Sequence, residues 1–256
     1  MANEFATQLW QARLQGTQVD VHAVELPQTV DEAYDVQAAI TKLSNATSIG
    51  YKVGLTTAAA MAAFGMTDSM FGPIYEQFLY DSGDAAPCTH PVLLETEVLV
   101  ALGQDLPPRP EPYTAAEVAA ATSWIAAGFE LVACRLSEKL PELPHLAIAD
   151  SGFNDGLVIG DRTDDWSVLD LFRTPVSLTI NGAEKDRGHT GASLYGEPFA
   201  VAAWLANHPV LAATGLKAGA IVATGTCTGM VPVGPGDTAH GVIDGLGEVT
   251  VNFVAA

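Results

Sequence analysis

LLETEVLVAL, residues 93–102, is an apolar, β-forming run with two carboxylates set into it. Strand side chains alternate faces, so Glu95 and Glu97 point the same way, about 7 Å apart, while Leu94, Thr96 and Val98 take the other face. Two like charges side by side on a half-buried strand repel and resist desolvation, and a cation is the simplest remedy. An all-oxygen donor set suits Mg²⁺ or Mn²⁺, which accept a few carboxylates and keep positions open for water or substrate. The same E-x-E is also the ordinary pattern of a solvent-facing strand edge, because charged residues are usually exposed. A third acid, Glu130 in GFELVACRL, follows a helical stretch read over Thr114–Gly128 and opens another apolar strand, where it can lie beside the first pair. Spacing alone leaves both readings open.

Working outward, Phe5, Leu9, Trp10 and Leu14 recur at helical spacing over residues 3–15 and stop at Gly16. Thr29-x-x-Glu32 predicts a capping box opening a helix through about Leu43, followed by the strand SIGYKVGL and an Ala/Met-rich helix near 57–64. FGPIYEQFLYDSG reads as a turn and strand closing the N-terminal third. Beyond Pro91 strands dominate, interrupted by a helix with a second capping box, Thr114-x-x-Glu117, a short helical segment near 142–151 and a helix over about 197–213. PVSLTING and EKDRGHTGA pair as a hairpin about Asn181-Gly182, and IVATGT, HGVIDG and GEVTVNF close the chain. Few crossover helices separate these strands, which predicts a largely antiparallel or mixed sheet coiled into a roll.

The 256 residues and 48% hydrophobic content suffice for one large core. No uncharged apolar run is long enough to cross a bilayer, and MANEFATQLW lacks the basic and apolar regions of a signal peptide, so neither a membrane nor an export signal is expected. Cys88, Cys134 and Cys227 are widely spaced with no C-x-x-C, which fits a reducing cytoplasm and no zinc–cysteine site. A net charge of −19 excludes nucleic acid as a natural partner. With only 11 lysines and arginines in the chain, a cation inside an apolar stretch stands out.

Lys52 in GYKVGLT is such a cation: a strand Lys is most often solvated, but its neighbours Tyr51, Val53 and Leu55 are apolar, which keeps open an ammonium facing a cleft, and beside a metal it would hold an anionic substrate. Gly225-Thr226 closes the strand AIVATG. It is either an ordinary strand-end turn or a place where backbone approaches a ligand and a Thr hydroxyl and N–H grip a carboxylate. ADSGFNDG, with Asp150, Ser151, Asn154 and Asp155, is a polar turn between apolar elements. No G-x-S-x-G, H-E-x-x-H, G-x-G-x-x-G or Walker pattern occurs, which disfavours serine-hydrolase, zincin, dinucleotide and nucleotide-triphosphate chemistry.

The ordered set GYKVGLT, LLETEVLVALGQDL, GFELVACRL, ADSGFNDGLVIG, TGASLYGEPFAVAAWLAN and GLKAGAIVATGTCTGMVPVGPGD resembles the 2-keto-4-pentenoate hydratase family. That family lies within the fumarylacetoacetate hydrolase superfamily and includes 4-oxalocrotonate decarboxylases. The resemblance implies an α+β fold: a mixed β-sandwich roll of the fumarylacetoacetate hydrolase C-terminal kind with an N-terminal helical cap. It implies residues 1–80 as cap and lysine strand and 81–256 as the catalytic β-roll, the two making one compact unit. It further implies Glu95, Glu97 and Glu130 as ligands of Mg²⁺ or Mn²⁺, Lys52 and Glu97 as catalytic groups, and Lys52, Ser151, Gly225 and Thr226 as substrate contacts. The implied protein is a cytoplasmic homo-oligomer, a dimer or a ring of dimers, acting on a small 2-oxo or 2-hydroxy-dienoic acid.

The implied reaction is hydration of a 2-hydroxy-2,4-dienoate, or its 2-oxo-enoate tautomer, to a 4-hydroxy-2-oxo acid. Its alternatives are decarboxylation of a 2-oxo-3-enedioate, hydrolysis of an acylpyruvate C–C bond, and a non-catalytic role stabilising a sister enzyme. Three stretches depart from the family pattern. Ser151 stands where Asn is usual, with Phe153 and Asp155 unexpected beside it; Ala133-Cys134-Arg135 replaces Asp/Gly-Ser-Arg; and Pro73-Ile74-Tyr75-Glu76 replaces a Leu-Phe-Asp pattern.

Overall fold

Two N-terminal helices come first, and each is stopped by a residue in the left-handed region that a helix cannot continue through. In the computed structural model, which describes residues 2–138, 140 and 142–256, α1 (Ala2–Gln15) ends at Gly16 with φ +65° and α2 (Val30–Ser44) ends at Asn45 with φ +51°. The Thr29 hydroxyl accepts from the Glu32 N–H at 3.2 Å, and α2 buries Ala33, Tyr34, Val36, Gln37 and Ile40. Then follow β1 (Ser48–Gly54), α3 (Ala58–Phe64), β2 (Met70–Tyr75), a 3₁₀ turn at Glu76–Phe78, β3 (Leu79–Asp81) and β4 (Ala85–Cys88). The strand quoted first is β5 (Val92–Leu102).

After β5, α4 (Ala115–Ala121) carries a complete Thr114/Glu117 capping box but is shorter than its spacing predicts. Residues 122–128 are strand, not helix: β6 (Thr122–Val132) pairs with β5 along nearly its whole length. Thr122, Trp124 and Ile125 are β-formers, and a ladder beside an apolar strand overrides the helical potential of the alanines. Next come α5 (Leu146–Ala149), a 3₁₀ turn at Ser151–Phe153, β7 (Asn154–Thr163), β8 (Pro175–Ile180) and β9 (Ala183–His189). Asn181 and Gly182, with φ +54° and +76°, form the left-handed two-residue turn of the β8–β9 hairpin, as their sequence predicts. The helix expected over 197–213 is only α6 (Pro198–Ala206); His208-Pro209 forbids its continuation and a separate 3₁₀ turn covers Pro209–Leu211. The chain closes with β10 (Ile221–Thr226), β11 (Val231–Val233), β12 (Thr238–Ile243) and β13 (Gly247–Ala255).

The strands form two mixed sheets. The larger has the order β2-β1-β10-β5-β6-β7-β3 with β11 also on β5, and the smaller has β4-β13-β12-β8-β9. Pairs β1/β10, β3/β7 and β4/β13 are parallel and the others antiparallel. The protein is therefore α+β, a mixed β-roll with helices at its N-terminus. One face of β5 (Leu94, Thr96, Val98, Val100, Leu102) lies in the main core with Phe129, Val249, Val251 and Phe253. Each such side chain contributes about 1.5–3 kcal/mol by leaving water.

The other face of the larger sheet has a core of its own. Ile74 (β2), Ile221 and Ala223 (β10), Leu99 and Ala101 (β5), Ala126 (β6), and Leu157 and Ile159 (β7) cluster there, with Leu79 of β3 packed alongside. Residues from the first strand to the last meet in one cluster because the sheet curls upon itself, and β2 touches β7. That inward face carries the glutamates.

Candidate metal and substrate site

Register, more than proximity in sequence, assembles the site. Glu95 stands directly opposite Glu130 across the antiparallel β5/β6 pair, and Glu97 stands opposite Thr226 of β10. Cross-strand partners on one face sit about 4.5–5.5 Å apart at Cβ, so the fold sets carboxylate against carboxylate. One oxygen from each of Glu95, Glu97 and Glu130 lies within 4.8 Å of the other two. On the same inward face Lys52 is registered with Ala223 of β10 and with Gly72 of β2. Its Nζ reaches Glu130 Oε1 at 3.1 Å, and both side chains are almost wholly buried.

The electrostatics follow from burial. Desolvation, reinforced by Glu130 and opposed by Lys52, pushes Glu95 up to about 7. Burial, then Glu130 and Glu95, raises Glu97 well above the usual carboxylate range despite the Gly225 N–H donating to its Oε2 at 2.9 Å. Burial alone would lower the Lys52 ammonium, but Glu130, Glu95 and Glu97 outweigh it and hold it charged. Glu97 Oε1 and Glu130 Oε2 are buried and have no hydrogen-bond partner among the described residues. Three carboxylates facing one ammonium leave an excess of two negative charges when all are ionised, the charge a divalent ion cancels. Opposite oxygens stand about 4.2 Å apart around Mg²⁺ and about 5 Å apart around Ca²⁺, so the observed spacing fits a hard divalent ion with little movement.

The neighbouring turn is built tightly against Lys52. Ser151, Gly152 and Phe153 all have left-handed φ, +54°, +65° and +62°, a run that L residues tolerate only when packing enforces it. A Cβ on Gly152 would lie 2.7 Å from Lys52 Cε, and one on Gly72 would lie 1.9 Å from the Ser151 carbonyl oxygen. These glycines let the turn press on both strands.

The expected substrate contacts divide. Lys52 lies beside the trio, whereas the Ser151 side chain lies near Tyr75, whose hydroxyl is 2.9 Å from Thr41 Oγ1. Ser151 thus faces a small cavity beside Trp10 and Arg13, on the helical side of the turn. The Gly225 N–H is engaged by Glu97, and the Thr226 hydroxyl donates to the Thr228 carbonyl at 2.7 Å.

Sequence reasoning missed a supporting layer. Asn154 Nδ2 donates to Glu130 Oε1 at 3.2 Å. The Asn154 carbonyl in turn accepts from Arg13 Nη1 at 2.8 Å and Arg135 Nη1 at 3.1 Å. Arg135 is anchored to Asp150 (Nε–Oδ1 2.7 Å) and to Asp155 at 3.2 Å. The signal that marked Lys52, a cation inside an apolar stretch, was equally present in ARL at Arg13 and ACRL at Arg135.

The sequence profile of the fumarylacetoacetate hydrolase C-terminal domain matches residues 63–254. The chain belongs to the fumarylacetoacetate hydrolase family. Within that family it is 31% identical over 80% of its length to a 2-keto-4-pentenoate hydratase of Burkholderia vietnamiensis, covering 78% of that protein. It is 30% identical to a 2-hydroxyhexa-2,4-dienoate hydratase of Comamonas testosteroni, with 88% of this chain and 86% of that one aligned. Its fold superposes on the 4-oxalocrotonate decarboxylase of Pseudomonas putida G7, solved with magnesium and adipate, with a TM-score of 0.89, 27% identity and coverage of 99% and 97%. The same decarboxylase solved with calcium and acetate gives a TM-score of 0.88. Among the described residues no helix is long and apolar enough to cross a membrane.

Proposed function

We propose that this fumarylacetoacetate hydrolase family member is a divalent-metal-dependent hydro-lyase, adding water to a 2-hydroxy-2,4-dienoate or its 2-oxo-enoate tautomer to give a 4-hydroxy-2-oxo acid. The observation that carries the reading is the convergence of buried Glu97, Glu130 and Lys52 with half-buried Glu95, two carboxylate oxygens having no hydrogen-bond partner among the described residues. The hydratase names of its relatives point to the reaction, and the metals solved with a structural relative support a divalent ion, Mg²⁺ or Mn²⁺.

In this reading Glu95, Glu97 and Glu130 hold the ion, which when bound supplies Lewis acidity to the carboxylate and keto oxygens of a 2-oxo acid. Lys52, pinned by Glu130 and by the turn at Gly152, holds the negative charge that grows at the substrate's oxygen end. Thr226, opposite Glu97, offers the carboxylate end its backbone. Glu97, oriented by the Gly225 N–H at Oε2, is the carboxylate that relays the proton exchanged between the 2-hydroxyl and the diene carbons. Ser151 acts from behind through the turn it shares with Gly152. Residues 1–80 and 81–256 work as one unit, because the lysine strand β1 is hydrogen-bonded between β2 and β10 of the larger sheet. A reducing cytoplasm and a homo-oligomer complete the proposal.

The test is the loss of dienoate ultraviolet absorbance with Mg²⁺, comparing the protein with Glu97→Ala. The proposal expects a fall on the order of 10²-fold or more in the variant, and equal rates would refute it. The superposition on a decarboxylase supports a second reading, loss of CO₂ from a 2-oxo-3-enedioate. Stoichiometric CO₂ release from that substrate, without dienoate hydration, would select it.

A further inference from the structure

We propose that the site takes substrates whose far end is an uncharged apolar chain, seated in a pocket walled by Phe153, and discriminates against a second carboxylate there. The proposal rests on the 2-oxo-acid reading above and specifies its substrate class.

A cavity of about 300 Å³ lies on the Phe153 side of the turn that packs on Lys52, lined by Phe64, Leu136, Leu140, Leu143, Leu146 and Phe153 among other residues. Every described residue lining it is apolar, from the alanines of α3 to Pro144 and Ala147. That volume lies within the range of small-ligand sites. One turn joins it to the catalytic groups. Gly152 presses on Lys52 Cε, and the next residue, Phe153, turns its ring to the cavity, 6.2 Å from the Phe64 ring. Successive Cα atoms are only about 3.8 Å apart, so the cavity wall begins within a residue of the lysine that holds the substrate's charged head. Phe153 keeps a left-handed φ of +62° in this position. A conformation that unfavourable for an aromatic residue persists where its packing is needed.

Charge argues in the same direction. A carboxylate entering this cavity loses hydration with no side-chain donor among the described lining residues to replace it. The chain carries −19 overall, so its field opposes a dianion more strongly than a monoanion. An alkyl tail meets neither cost and gains roughly 0.8 kcal/mol per buried CH₂.

The experiment measures binding of 2-oxooctanoate and 2-oxoadipate to the Mg²⁺-loaded protein by calorimetry, with turnover of the corresponding 5-alkyl and 5-carboxyl dienoates followed separately. The expected result is at least about tenfold tighter binding of the alkyl acid, with kcat/KM ordered alike. Leu143→Arg, checked for folding by circular dichroism, is expected to shift the ratio toward the dioate by about tenfold or more; Leu140→Arg serves if that variant does not fold. Equal binding, or preference for 2-oxoadipate by the unmodified protein, overturns the pocket assignment while leaving the metal site standing. Binding of neither acid overturns the 2-oxo-acid reading and this inference with it.

Discussion

At the scale of single residues, Lys52 is the only cation in ion-pair contact with the glutamate trio among the described residues, and its removal separates two roles. Without metal, Lys52→Met leaves buried carboxylates with no counter-charge, which destabilises a fold by about 3–5 kcal/mol when one member of a buried pair is lost. The metal-free variant is therefore expected to melt well below the parent, and saturating Mg²⁺ to recover much of the difference, as read by calorimetric Tm. Activity with Mg²⁺ present is expected to stay down on the order of 10²-fold, because the ammonium acts on charge that develops during reaction. A variant melting normally without metal would show that Lys52 is not the partner of Glu130.

At the scale of elements, α1 is tied to the site by one residue. Arg13 leaves α1, reaches the Asn154 carbonyl, and stacks its guanidinium 4.1 Å over the Phe78 ring. Its Nε and Nη2 have no partner among the described residues, and burial together with nearby Arg135 lowers it to about 10. A poorly compensated buried charge adds little stability, so Arg13→Met is expected to change Tm only slightly. What it removes is a restraint on Asn154, which orients Glu130, and supports of metal ligands typically count about 10–100-fold in ion affinity. The expected outcome is a Mg²⁺ Kd weakened about tenfold at nearly unchanged Tm, and an unchanged Kd would deny the helix any part in the site.

Elements also show what a linear reading can and cannot reach. The Thr29 N-cap, the Thr114 capping box, the Asn181-Gly182 turn and the E-x-E strand were legible because each is a local rule with a local cause; at Thr29 the box is only half made, since Glu32 Oε2 accepts from the Gln28 N–H instead. The helix read through Gly128 failed because alanines favour helix in isolation while a ladder to β5 decided for strand. The break beyond α6 was set by Pro209, a stop signal present in the sequence but outweighed there by the run of apolar residues. Glu130 could be suspected; only the register of β5 against β6 makes it the partner of Glu95. The small cross-pairings of β4 and β11 are non-local, and no pattern within three or four residues announces them.

At the scale of the whole molecule, the curl of the larger sheet is what converts an unfavourable charge pattern into a site. It turns the face bearing the charged groups inward, burying Lys52, Glu97 and Glu130 and half-burying Glu95, so that water screens them poorly. The consequence for the metal-free protein has a definite sign. Glu95 titrates at about 7 when folded against an ordinary 4.5, so the folded state binds more protons than the unfolded one between those values. Its stabilising contribution is full below about pH 4.5 and is lost as pH rises through about 7. Glu97 shifts in the same direction. A bound divalent ion removes this penalty, since it prefers the ionised ligands. The Mg²⁺-induced rise in Tm is therefore expected to grow from pH 5 to pH 8, measured against protein in EDTA. A rise independent of pH would mean the ion binds elsewhere.

The most direct measurement is a Mn²⁺ titration of the metal-free protein followed by electron paramagnetic resonance, run in parallel on Glu97→Gln and repeated with pyruvate. One tight ion per chain, its signal altered by pyruvate and its binding weakened about 100-fold or more in the variant, is the predicted result. No stoichiometric Mn²⁺ binding, or equal binding by the variant, would contradict the assignment of the three glutamates.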